Sequence, residues 1–93
     1  MTVRQSDKGL QSDAGFVISE ISTHSILYAA RRLSITIPVE RTPSGEMLCK
    51  LRHLSFWDPP FAEPFTQSDK LRLRFFIAEA YRAIGATVNF DLG

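Results

Sequence analysis

Residues 68–84, SDKLRLRFFIAEAYRAI, decide the fold. No proline or glycine interrupts the run, and its apolar residues recur at the three- and four-residue spacing of an α-helix. Ser68 is a candidate N-cap, with Asp69 in the first turn where its charge suits the helix dipole. Thr66 is a rival cap, with Asp69 as its N3 residue, although a capping box prefers Glu or Gln there. Gly85 follows as the residue expected just past the C-terminus.

On a helical wheel, Leu73, Phe76, Ile77, Ala80, Ala83 and Ile84 form one broad face predicted to meet a sheet. Arg72, Glu79 and Arg82 lie roughly opposite, and Leu71, Phe75 and Ala78 fall beside that polar side. Phe75 is therefore apolar where water is expected. Either another segment covers it, or it meets a partner. Burying an exposed Phe contributes on the order of 2 kcal/mol, the scale of an interface hot spot when it fills a pocket.

Upstream, residues 55–67 read SFWDPPFAEPFTQ. Pro59, Pro60 and Pro64 exclude a helix and a regular central strand. This stiff connection carries Phe56, Trp57, Phe61 and Phe65, which either plug one end of the core or line a groove for a peptide or a ring-shaped ligand.

Residues 34–54, SITIPVERTPSGEMLCKLRHL, read as two strands around a turn at residues 42–46. Ile35, Ile37 and Val39 alternate with polar neighbours, and Cys49, Leu51 and His53 alternate with Lys50 and Arg52. Pro43, Ser44 and Gly45 supply the turn chemistry. Pro38 lacks an N–H, which predicts an edge position or a bulge there.

Residues 16–33, FVISEISTHSILYAARRL, fit two periods. Ile21, Ser25, Tyr28 and Arg32 make a helical stripe, whereas the β-branched cluster of Val17, Ile18 and Ile21 suits a strand. A helix over residues 26–33, capped by Ser25, is the favoured reading of the second half. Residues 1–14 are polar and aperiodic and are expected to be a flexible segment. Residues 86–92 read as a last strand with Val88, Phe90 and Leu92 on one face. The expected fold is α+β: one small domain over residues 15–93, in which a β-hairpin and a C-terminal strand pack against one long helix, beside a shorter N-terminal helix.

Composition fits a folded chain, with 93 residues, 44% hydrophobic and 23% charged. No apolar run approaches the roughly 18 residues of a membrane span, and the N-terminus lacks the apolar core of a signal peptide. Cys49 is the lone cysteine, which fits a reducing, cytoplasmic setting. Net charge is +1, with a mild basic excess over residues 31–82. That permits nucleic acid binding without indicating it, because neutralising many phosphates takes a dense basic face.

Enzymatic signals are poor. His24, His53 and Cys49 stand on separate stretches with no metal-ligand spacing, and no phosphate-loop, dinucleotide or zinc-protease motif occurs. No catalytic residue, metal ligand or cofactor is expected. The sequence favours a non-catalytic interaction or regulatory module that docks a protein partner, with a second copy of itself among the candidates. The partner-binding residues are Leu71, Phe75, Ala78 and Arg74, with Trp57 and Phe61 from the proline loop. The alternative is a weakly basic nucleic-acid binder using Lys50, Arg52, Arg72 and Arg74.

Overall fold

The computed structural model of the chain describes residues 1–92. Seven strands and one helix follow in the order β1 (Val3–Ser6), β2 (Gly9–Ser12), β3 (Phe16–Ser22), β4 (Ser25–Ala30), β5 (Leu33–Arg41), β6 (Met47–Lys50), α1 (Gln67–Ala83) and β7 (Val88–Asp91). They form one sheet in which every strand lies beside its sequence neighbour. Strands β1 to β6 are an antiparallel meander. β7 pairs parallel with β6, because a helical crossover separates those two strands.

Side-chain alternation explains the strands. Phe16 and Ile18 of β3, Ile26 and Tyr28 of β4, Ile35, Ile37 and Val39 of β5, and Met47 and Cys49 of β6 all turn to one face and are buried. α1 completes the same core with Leu73, Ile77, Ala80 and Tyr81. A one-helix, sheet-rich domain thus replaces the expected balance of elements.

The two N-terminal expectations are corrected. Residues 1–14 are not a flexible segment but a hairpin, closed at its open end by Thr2 N–H to Asp13 Oδ1 at 2.9 Å and Asp13 N–H to the Thr2 carbonyl at 3.0 Å. The polarity of this stretch reflects an outer position in the sheet; only Leu10 enters the core fully, and Val3 packs against it. Gly9 has φ +113°, and a Cβ there would lie 2.1 Å from the Ile18 carbonyl oxygen, so the approach of β2 to β3 requires glycine.

Residues 26–33 are strand, not helix. Ser25 does not cap; its hydroxyl meets the Ser22 hydroxyl at 2.8 Å across the β3–β4 turn, and Ser22 Oγ also accepts from His24 N–H at 3.1 Å. The supposed helical stripe is not buried as a unit, since Ile21 and Arg32 are exposed, whereas the period-two pair Ile26 and Tyr28 is enclosed.

The hairpin of residues 34–54 stands as β5 paired with β6, Val39 opposite Cys49 and Arg41 opposite Met47. β5 is a central strand, but at Pro38 it is unpaired on one side, the local edge position expected there. Val39 N–H points to the β3–β4 turn, reaching the His24 carbonyl at 2.8 Å, so by strand alternation the nitrogen of Pro38 faces the β6 side, where the β5–β6 pairing has ended.

α1 is capped by Thr66, not Ser68. Its hydroxyl accepts from Asp69 N–H at 3.2 Å while Asp69 Oδ2 accepts from Thr66 N–H at 2.9 Å, a capping box built with Asp. At the other end Gly85, at φ +81°, and Ala86 donate to the Arg82 and Tyr81 carbonyls at 3.0 and 2.9 Å, a Schellman closure. The helix is rolled relative to the wheel expectation: Tyr81 is buried, Phe76 is half-buried, and Ala83 and Ile84 are exposed. No helix among the described residues is long and apolar enough to cross a membrane. Gly93, the last residue of the expected domain span, lies outside the described residues.

Candidate partner-docking face

The side of α1 turned away from the sheet carries Leu71 and Phe75 one helical turn apart, 49% and 59% exposed. These are large apolar groups on a molecule that already encloses a continuous core of seventeen side chains. Neither is needed to close that core. Arg74 stands between them in sequence, exposed, its side chain making no hydrogen bond or ion pair among the described residues. Ala78, one turn beyond Arg74, is half-buried. Arg72 reaches Asp69 at 2.7 Å and Arg82 reaches Glu79 at 3.1 Å, so charge on both neighbouring stripes is locally balanced. The arrangement is an apolar ridge with one guanidinium that has no partner among the described residues, flanked by paired charges.

The proline loop divides its aromatics. Trp57 is 6% exposed and meets Phe65 edge-on, ring centroids 5.2 Å apart. The loop is drawn inward by backbone bonds from Trp57 N–H to the Glu63 carbonyl and from Phe65 N–H to the Ser55 carbonyl, each 2.8 Å. Trp57 is thus a core residue, which corrects its place among the docking residues. Phe61 stays exposed beneath the Arg32 guanidinium, 5.2 Å from its centroid, and belongs with the β4–β5 turn. Phe56 is exposed too, so of the four loop aromatics Trp57 and Phe65 plug the core and Phe56 and Phe61 remain at the surface.

The four residues of the nucleic-acid alternative do not form one face. Lys50 lies on the outer side of the sheet, between inward Cys49 and Leu51, and pairs with Glu40. Arg72 and Arg74 are on α1 on the other side, and Arg52 is in the turn after β6, its carbonyl accepting from Lys70 Nζ at 3.0 Å.

Cys49 is fully enclosed, and burial pushes its thiol from 9.0 up to about 12, with a smaller opposing pull from Arg41. A thiol so placed is a poor nucleophile. His24 and His53 are exposed on separate turns, and no group of three metal-ligating side chains gathers among the described residues. No protein-family model, curated protein or solved structure matches this chain.

Proposed function

We infer that the protein is a non-catalytic interaction module of the cytoplasm, which docks a protein partner on the outer face of α1. The observation that carries this reading is the exposure of Leu71 and Phe75 at adjacent helical turns above a closed core. Large apolar groups left in water find their energetic use in a partner's pocket, where a buried aromatic anchor dominates affinity. Arg74 fixes register by pairing with an acidic group of the partner, since it has none of its own.

Light scattering across a concentration range, on the wild type and on Phe75→Glu, tests the reading. A wild-type dimer that dissolves into a folded monomer on substitution makes a second copy the partner. Folded monomers in both cases assign the face to a different protein. A dimer that survives the substitution moves the interface off the helix and contradicts the reading.

A further inference from the structure

The opposite flank of α1 borders a groove of about 510 Å³, walled by the ends of β3 and β4, the β4–β5 turn and the proline loop. Beneath it lies an aromatic cluster, of which Phe76 is the half-buried member that reaches the groove surface. Phe16 stacks on Tyr28 with centroids 5.2 Å apart and meets Phe76 at 5.1 Å, and Trp57 closes the loop side. Two side chains offer polar contacts to a ligand in this groove.

The first is Tyr28. It is 3% exposed, yet its hydroxyl makes no hydrogen bond among the described residues. No fully enclosed side-chain oxygen among the described residues lacks a partner, so this hydroxyl opens onto the groove that Tyr28 lines. A polar atom on a buried ring normally finds a partner.

The second is Arg31. It lines the same groove, has no side-chain ion pair or hydrogen bond among the described residues, and holds φ +57° in the two-residue turn between Ala30 and Leu33. A two-residue hairpin turn demands positive φ at its first residue, so the backbone of Arg31 is set by the turn, which projects its side chain at the groove rim. Arg72 adds a second guanidinium. One of its nitrogens is held by Asp69 at 2.7 Å, which orients the group and leaves its other N–H donors free.

We propose that this groove is a binding site for an aromatic carboxylate, its ring lying between Phe76 and Pro64 and its carboxylate held by Arg31, Arg72 and the Tyr28 hydroxyl. The planar guanidinium fork matches a carboxylate, the phenol is a donor, and the volume suits a small ligand. Asp69 is already occupied by Arg72 and the helix cap, so Glu63 is the one unengaged acid on the rim, and it opposes anion binding. The free acid and the carboxyl terminus of a polypeptide ending in an aromatic residue share this chemistry. The site does not depend on docking at Leu71 and Phe75.

The test is a nuclear magnetic resonance titration of the protein with 3-phenylpropionate and with its neutral amide. Saturable shifts are expected at Tyr28, Arg31, Phe76 and the Trp57 indole, with the amide binding at least about tenfold more weakly. Arg31→Gly relieves the left-handed strain, so it should raise the melting temperature while weakening the acid about tenfold, which separates binding from folding. Glu63→Gln should tighten binding. A peptide ending in Phe with a free carboxyl terminus, compared with its amidated form, separates the sources. Tighter binding than phenylpropionate assigns a polypeptide terminus, and weaker binding assigns a free acid. Absent shifts, equal binding of acid and amide, or indifference to Arg31→Gly would overturn the proposal.

Discussion

Phe75 and Phe76 are consecutive on α1 with ring centroids 5.7 Å apart and planes inclined by 63°, yet they face different surroundings. Phe76 packs on Phe16 against the core, and Phe75 stands in water. One residue of helical rotation separates a structural aromatic from a free one. Phe76→Ala should therefore cost about 2–3 kcal/mol, while Phe75→Ala stays within about 1 kcal/mol of the wild type. Urea denaturation of the two variants measures both. Equal losses would mean that the two rings share one environment.

Gly9 supports a second prediction. A methyl group there meets the backbone of Ile18 at 2.1 Å, and φ +113° suits no other residue. Gly9→Ala should destabilise by about 2 kcal/mol or more, through loss of the β2–β3 pairing. Amide exchange resolves where this happens: Leu10 and Gln11 lose protection while Leu73 and Ile77 retain theirs. Full protection at β2 in the variant would contradict the close approach.

The helix, the central hairpin and the last strand were legible in the sequence because each announces itself locally. α1 has an uninterrupted period and chemical caps at both ends, and β5–β6 has alternation around a proline–glycine turn. Residues 26–33 were not, since six residues of strand and two turns of helix carry almost the same apolar spacing, and only the neighbouring strands decide between them. The N-terminal hairpin hid because one core residue, Leu10, is too faint a signal against a polar background. For the docking face, Leu71 and Phe75 were visible as a misfit on the wheel. The burial of Trp57 is not legible, because composition alone does not tell which side of a loop a ring faces. The groove around Tyr28 joins residues from five separate stretches and has no sequence signature.

Alkaline pH supplies a third prediction. Burial pushes the phenols of Tyr28 and Tyr81 from 10.0 up to about 12 and the Cys49 thiol from 9.0 up to about 12. In the unfolded chain these groups lose their protons first. Between pH about 9 and 12 the native state then holds more protons than the unfolded state, and stability falls as pH rises. Below that window their contribution is fully present. Each group should cost about 1 kcal/mol or more by pH 11. Urea midpoints measured from neutral to alkaline pH should decline, and Tyr28→Phe should flatten part of the decline. A level profile would contradict the burial of these groups.

The most direct test of the central claim, that Phe75 is exposed for a purpose other than folding, is the unfolding free energy of Phe75→Glu beside Ile77→Glu. Ile77 is fully enclosed two residues further along the same helix. Phe75→Glu should fold with stability within about 1 kcal/mol of the wild type, while Ile77→Glu, which buries an unpaired charge, should fail to fold. Comparable collapse of both variants would make Phe75 part of the core and remove the ground for a docking face on α1.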